Sequence, residues 1–240
     1  MTNPTAALLI IGDEILSGRT QDANLQHLAK ALTAQGIDLA EVRVVADDPA
    51  AIIAATRALS AGNDHLFTTG GIGPTHDDIT APCIAEAMGV DISIRDDARA
   101  LLADHYAKTG KELNEARLRM ARIPDGAVLI ENPVSIAPGF SIGNVHVMAG
   151  IPAIFQAMLA GVLPQLTGGA RLISRSQRVE RGEGDIATPL GALAAEFPDV
   201  QIGSYPFQDN GLTGTNIVMR ATDEALLDRA MARLAGFCAP

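Results

Sequence analysis

Thr68-Thr69-Gly70-Gly71-Ile72-Gly73-Pro74-Thr75-His76-Asp77-Asp78-Ile79-Thr80 is the stretch whose reading decides the fold. The apolar run His65-Leu66-Phe67 precedes it, and a helical pattern from Ile79 to Met88 follows. Strand, glycine-rich turn, helix is the order in which an α/β protein offers backbone N–H groups to an anion. Glycine permits φ > 0 and a close approach of the backbone. The first N–H groups of the next helix, with its positive dipole end, favour phosphate. Asp77 and Asp78 stand at the loop exit. They repel a phosphate unless a divalent cation or a proton lies between. Two readings of this spacing stand: a phosphate-and-metal site, or a tight strand–helix connection in which Asp77 or Asp78 caps the helix.

Upstream, Ala6 to Ile11 is a continuous apolar run, as expected of a strand covered on both faces. It ends in Gly12-Asp13-Glu14 and Ile15-Leu16-Ser17-Gly18. Residues 21–35, with Leu25, Leu28, Ala29 and Leu32 on one face, read as a helix stopped by Gly36. Leu39 to Val45 reads as the second strand; Asp47 and Asp48 end it, and Pro49 opens a helix over 50–60. Three successive strand ends therefore carry acids: Asp13 and Glu14, Asp47 and Asp48, Asp77 and Asp78. Parallel strands joined by right-handed crossovers bring such ends to one edge. The coincidence predicts a metal-dependent site there; the alternative is that each Asp merely starts a helix after a strand.

Downstream, Val90 to Ile94 is a short apolar run, and residues 95–121 read as a helix broken at Thr109-Gly110, its charges a solvated face. Arg117, Arg119 and Arg122 read either as phosphate ligands or as plain surface charge. Ile123-Pro124-Asp125-Gly126 reads as a turn, Val128 to Ile130 as a strand closed by Glu131-Asn132-Pro133, and Ser141 to Met148 as a hairpin turning at Gly143-Asn144. Gly150-Ile151-Pro152 starts a helix over 153–163. Beyond Pro164 to Gly169 the pattern changes. Strands over 171–179, 200–205 and 216–221 and helices over 185–195 and 223–234 predict a small α+β region, with Gly211 to Gly214 as a mobile loop. The expected division is 1–167, an α/β domain, and 168–240, the α+β appendage.

Composition narrows the function. Of 240 residues 48% are apolar, enough for a sizeable core. Aromatics are 3% and Trp is absent, which argues against a stacking platform for single-stranded nucleic acid. Lys+Arg is 18 against Asp+Glu 28, and the net charge of −10 repels a nucleic-acid backbone. A local loop and a metal can still hold a small phosphorylated ligand. Cys83 and Cys238 form no CxxC pair, and Cys83 reads as a small buried hydrophobe. No signal-peptide pattern is expected, and no segment approaches the ~20 apolar residues that span a bilayer, so the expectation is a cytoplasmic protein without a membrane partner. His27, His65, His105 and His146 read as structural, and His76 as a loop histidine beside the acid pair.

Taken together, Gly12-Asp13-Glu14-Ile15-Leu16-Ser17-Gly18, Asn24 at a helix start, Thr69 to Thr80, Asn132-Pro133, Ala137-Pro138-Gly139-Phe140 and Gly150-Ile151-Pro152 resemble the molybdopterin-binding domain superfamily. The likeness is greatest to the N-terminal domain of the competence/damage-inducible protein A (CinA) family. A related domain of certain eukaryotic FAD synthases is also similar. These motifs run in order through residues 6–165, which makes the match specific. Gly203-Ser204-Tyr205-Pro206 and Gly214-Thr215-Asn216 resemble the small α+β region that follows this domain in the same family.

The resemblance implies a three-layer α/β/α fold with a mostly parallel sheet. It implies a ligand, a phosphorylated nucleotide or pterin, held around Gly12, Gly70, Gly71, Gly73, Pro74, Thr75, Thr80, Asn132, Pro138, Gly139, Gly150 and Pro152. The family's acidic residues fall here on Asp47 and Asp78, the catalytic candidates. Competence-type members are associated with metal-dependent hydrolysis of a nucleotide pyrophosphate of the ADP-ribose or FAD class. A divalent cation of Mg, Mn or Co type would then bridge the pyrophosphate to Asp78, Asp77 and Asp13 or Glu14, and Asp47 would hold the metal or orient the water. The alternative is a non-hydrolytic molybdopterin-binding protein of molybdenum cofactor metabolism. Two departures matter. Asp13 stands where competence-type sequences usually have Thr, as in the molybdenum-insertion relatives. With the last residue at Pro240, the amidase domain that often follows, and its deamidase activity, are not expected. By analogy with relatives a dimer or trimer is expected.

Overall fold

Ala6, Leu8 and Ile10 pack to one side of the first strand and Ala7, Leu9 and Ile11 to the other, and all six are buried. A strand so covered needs a layer of helices on each face. The computed structural model describes residues 3–209 and 211–238; the Cys238 side chain and Pro240 lie outside the described residues. The chain divides after Gly169 into two units.

In chain order the first unit runs β1 (Thr5–Ile11), α1 (Asp13–Leu16), α2 (Asn24–Gln35), β2 (Asp38–Val45), α3 (Pro49–Gly62), β3 (His65–Thr69), α4 (Thr80–Met88), β4 (Ile92–Ile94), α5 (Asp96–Lys108), α6 (Glu115–Leu118), β5 (Arg122–Pro124), β6 (Val128–Ile130), β7 (Gly139–Ile142), β8 (Val145–Met148) and α7 (Pro152–Val162). The main sheet has the order β2-β1-β3-β8-β7-β6. Its first three pairings are parallel and the last two antiparallel. The mostly parallel three-layer α/β fold expected above is therefore the fold found. Leu28 and Leu32 of α2 join Ile154, Phe155, Met158 and Leu159 of α7 in the core on one face. Ile52, Ile53 and Leu59 of α3 join Cys83 and Ile84 of α4 on the other. Burial pushes the Cys83 thiol up to about 11, so it packs as a neutral group.

Local chemistry starts and stops these helices. Asp48 accepts a hydrogen bond from Ala51 N at 2.8 Å and Pro49 occupies the first turn of α3. Gly36 and Gly89 end α2 and α4 in the left-handed conformation, each at φ 70°. His146 on β8 and His65 on β3 lie 5.7 Å apart between ring centroids. Burial, and then His65, drives His146 down to about 4, so the ring is a neutral core group.

One segment follows expectation and one departs from it. The break expected at Thr109-Gly110 is found: α5 ends at Lys108, and the Asn114 side chain caps a new start at Arg117 N. Ile123 and Pro124 are not a turn but part of β5, paired antiparallel with β4; Ile123 is buried in the core, which holds the segment extended.

The second unit runs β9 (Ile173–Val179), α8 (Glu183–Glu196), β10 (Gln201–Asp209), β11 (Leu212–Ala221) and α9 (Glu224–Cys238). Its antiparallel sheet has the order β10-β11-β9. Ile217, Met219 and Ala221 of β11 bury against Ile186 and Leu193 of α8 and Leu227, Ala230 and Leu234 of α9. The loop expected at 211–214 is a strand from Leu212 onward. Gly214 pairs with Phe207 there, and a Cβ on it would overlap the Val179 carbonyl oxygen. Among the described residues no helix is long and apolar enough to cross a membrane.

Candidate functional site

Parallel strands deliver their carboxyl ends to one edge, and there the main sheet carries a cavity of about 560 Å³. Gly12 after β1, Asp47 after β2, Gly70 to Pro74 after β3, and Gly150 to Pro152 after β8 all line it. So do Glu14, Asp77, Asp78 and Asn132. The volume suits a mononucleotide or a dinucleotide fragment.

The floor is backbone because side chains do not fit. A Cβ on Gly70 would overlap the Ile11 carbonyl oxygen, at a φ of 107° that side chains rarely adopt. On Gly71 it would meet the Thr80 hydroxyl, and on Gly73 the Asp78 carboxylate at 2.6 Å. Thr80 is fully buried; its hydroxyl donates to Gly70 O at 2.9 Å and its N–H to Gly71 O at 3.0 Å. Thr80 therefore shapes the loop from behind and does not line the cavity.

The acids hold different posts. Asp78 Oδ2 accepts from Thr75 N at 2.8 Å and from the Thr75 hydroxyl at 2.5 Å. The Thr75 side chain also lies close enough to Asp77 to hold it below the usual carboxylate range, with smaller contributions from His76 and Arg119. Glu14 folds back over Gly12, where a Cβ would come within 2.5 Å of its Oε2. Asp47 Oδ2 accepts from Asp13 N at 3.0 Å. Burial, then the nearby charges of Asp13, Glu14 and Asp77, raise Asp47 above the usual carboxylate range, against the lowering effect of the Asp13 N–H. Among the described residues neither Glu14 nor Asp47 pairs with a Lys or Arg. Asp13 is exposed, and its backbone rather than its carboxylate meets the others. Asp48 is occupied as the cap of α3.

The remaining expected ligand residues divide. Asn132 lines the cavity and is 5% exposed. Its Nδ2 donates to Ser135 Oγ at 2.6 Å and Ala137 O at 2.8 Å, and its Oδ1 accepts from Val134 N and Ser135 N. Pro138 lines a smaller recess of about 20 Å³ behind the glycine loop, with Gly71, Gly73, Asp78 and Arg119. Gly139 is buried in β7, where a Cβ would overlap the Val147 carbonyl oxygen. Thr75 and Thr80 support Asp78 and the loop. His76 is solvent-exposed, 3.8 Å from Asp77. Among the described residues no three His, Cys, Asp or Glu side chains gather as a ready-made metal cage.

Thr20, Met120, Ser135 and Ile154 also line the cavity and carry no local motif. Arg119 sends Nη2 to the Asp78 carbonyl at 3.2 Å, at the loop exit. Asn24 left a trace in the sequence: it is the polar residue on the otherwise apolar Asn24, Leu28, Leu32 face of α2.

Comparison with known proteins gives two matches within the chain. The pattern described as a probable molybdopterin binding domain covers residues 7–168, and that described as the middle domain of FAD synthase covers residues 171–239. A Pyrococcus furiosus protein is 30% identical over 239 residues, 94% of each chain. A CinA-like protein of Desulfosudis oleivorans is 32% identical over 82% of this chain, which spans 51% of that protein's length. Among solved structures, the protein CinA of Thermoplasma acidophilum, described as of unknown function, is 34% identical with a TM-score of 0.63, over 69% of this chain and 99% of that one.

Proposed function

This chain belongs to the probable molybdopterin-binding domain family and is CinA-like, and on that footing we infer that its cavity binds a phosphorylated nucleotide or pterin and hydrolyses a nucleotide pyrophosphate of the ADP-ribose or FAD class with a divalent cation. One observation carries the reading: a cavity floored by glycine backbone is rimmed by Glu14, Asp47, Asp77 and Asp78. An anion site edged with carboxylates makes electrostatic sense only with a cation or a proton between them, and a cation serves several carboxylates at once.

The residues fit such a cation in one mode. With no cage of three protein ligands among the described residues, the carboxylates would supply only part of a cation's oxygen shell, which suits a cation of the Mg²⁺ type held partly by its substrate. When bound, the cation would neutralise charge developing on phosphorus. Asp77, whose side chain is 62% exposed, and Glu14 would hold it. Asp78 keeps the Thr75 turn closed and so keeps the loop backbone aimed at the phosphate. Asp47, raised by burial and then by the neighbouring carboxylates, is suited to take a proton from the attacking water. The water oxygen bonds to phosphorus, the bridging P–O bond breaks, and ADP-ribose yields AMP and ribose 5-phosphate.

The test is incubation of the whole chain with ADP-ribose or FAD, with and without Mg²⁺, Mn²⁺ or Co²⁺, followed by chromatography for AMP. AMP is expected only with metal. Asp47→Asn is expected to slow its release by about 10²-fold or more without lowering the melting temperature, since Asn still accepts from Asp13 N. Asp78→Asn keeps an acceptor for Thr75 in the same way, and a rate unchanged in it removes its charge from the mechanism. The lack of a three-ligand metal cluster favours a second reading, non-hydrolytic pterin binding. No turnover of any pyrophosphate, with tight binding of a pterin phosphate, would establish it.

A further inference from the structure

A second, smaller cavity of about 60 Å³ lies beside the main one. The two share Ile11, Glu14, Thr20, Gly70, Gly150 and Pro152, so they stand wall to wall. Asn24, at the first turn of α2, lines the small cavity and is 2% exposed. Its Nδ2 donates to Thr69 Oγ1 and to Gly150 O, both at 2.8 Å.

The orientation of this amide is dictated by its partners. The Thr69 hydroxyl spends its own proton on Ala149 O at 3.1 Å, so it offers Asn24 only a lone pair. Gly150 O is an acceptor as well. Turning the amide over would set Oδ1 against two acceptors. Oδ1 therefore faces away from both, is shut off from solvent and receives no hydrogen bond. A buried acceptor without a donor is costly, and none of the described residues supplies one. Glu14 and Asp22 add carboxylate acceptors to the same wall and Thr20 and Gln21 groups that can accept or donate, while Ile10, Ile11 and Ile15 make it apolar. Acceptors between apolar surfaces select the amino-bearing edge of a flat heterocycle.

We propose that the small cavity is the base-recognition subsite of the main pocket: an exocyclic amino group on the ligand's heterocycle enters it and donates to Asn24 Oδ1. This rests on the ligand reading above and names what that ligand must carry. The volume admits the amino edge and not a whole ring, so the ring body and the phosphates stay in the larger cavity. Adenine and pterin share the required group.

The experiment measures binding to the whole chain by calorimetry in two pairs. The first is ADP-ribose against its analogue with hydrogen in place of the 6-amino group. The second is 6-hydroxymethylpterin phosphate against its lumazine counterpart, in which a carbonyl replaces the 2-amino group. Loss of the amino group is expected to weaken binding about tenfold in at least one pair. The pair that discriminates identifies the source of the heterocycle. In Asn24→Ala that ratio falls toward one, as a coupled pair of changes requires. Should the variant lose its fold with its ties to Thr69 and Gly150, the wild-type ratios together with a crystal structure of the ligand complex decide the matter. The amino nitrogen is expected within about 3.2 Å of Oδ1, and an amino group placed elsewhere overturns the proposal. Equal binding within both pairs overturns it too, while leaving the proposed function in place. Absence of binding by all four probes overturns both.

Discussion

Two loops face the same cavity and reach left-handed backbone by opposite routes. The loop after β3 does so with glycine, at φ 107° for Gly70 and 67° for Gly71. The loop after β6 does so with Ile136 at φ 69°, the non-glycine residue with positive φ among those described. For a β-branched residue that conformation is an outlier, and it costs roughly 1–2 kcal/mol. Four side-chain hydrogen bonds of Asn132 span Val134, Ser135 and Ala137 and hold the segment against that cost; Ile136 N also donates to Asn132 O at 2.9 Å. The first loop is relaxed because its composition permits its shape. The second is strained and is held by one buried amide. Equal geometry at a site thus need not mean equal robustness.

The contrast can be broken by substitution. Gly70→Ala should have the largest effect, because both the left-handed φ and the immobile Ile11 carbonyl oppose a Cβ. A loss of about 3 kcal/mol or more is expected, read as a fall of roughly 10 °C in thermal melting. A variant that melts like wild type would show that the floor can move aside. Asn132→Ala should follow, at about 2–3 kcal/mol, because it strands buried polar groups in the second loop. Amide hydrogen exchange should quicken at Val134 and Ser135 and stay unchanged in the glycine loop; quickening in both would mean the two walls are one cooperative unit.

A smaller effect is carried by pH. Asp47 titrates higher in the folded chain than in the unfolded one. Between the two values the folded state binds more protons, so stability falls as pH rises through that window, and the full penalty is present at neutral pH. Asp47→Asn should therefore melt above wild type at neutral pH, and the gap should close on acidification below the window. Mg²⁺ should raise the wild-type melting temperature more than that of Asp47→Asn. A gap that ignores both pH and Mg²⁺ would mean that the crowding of carboxylates is not felt. Ile136→Gly should have the smallest effect. It relieves the left-handed strain but adds the backbone freedom of glycine to the unfolded chain, for a net gain of about 0.5 kcal/mol. A clear loss of stability on chemical denaturation would show that the Ile136 side chain is worth more than its strain.

Much of the frame was legible because it depends on neighbours in the chain. The unbroken apolar run at Ala6 to Ile11 needs cover on both faces wherever it lies, and both core clusters meet it. Gly36, Gly89 and Asp48 do their work within a helical turn. The glycine loop could be read for the same reason, since its φ angles follow from residue type. The sorting of the acids could not. Asp77 and Asp78 are adjacent and chemically alike, and only the Thr75 geometry separates them. Nothing in the spacing from 13 to 47 tells that Asp13 meets Asp47 through its N–H while its carboxylate stays outside the cavity.

By itself the sequence determined that this chain would build a mostly parallel sheet with a glycine-floored edge, because apolar periodicity and backbone freedom are properties of short segments. Only the tertiary structure decided which polar groups are left to address a ligand. Asn24 spends its protons on Thr69 and on Gly150, 126 residues away, and its oxygen is free only because those distant partners are both acceptors. A hydrogen-bond balance of that kind closes in three dimensions, so no stretch of chain contains it.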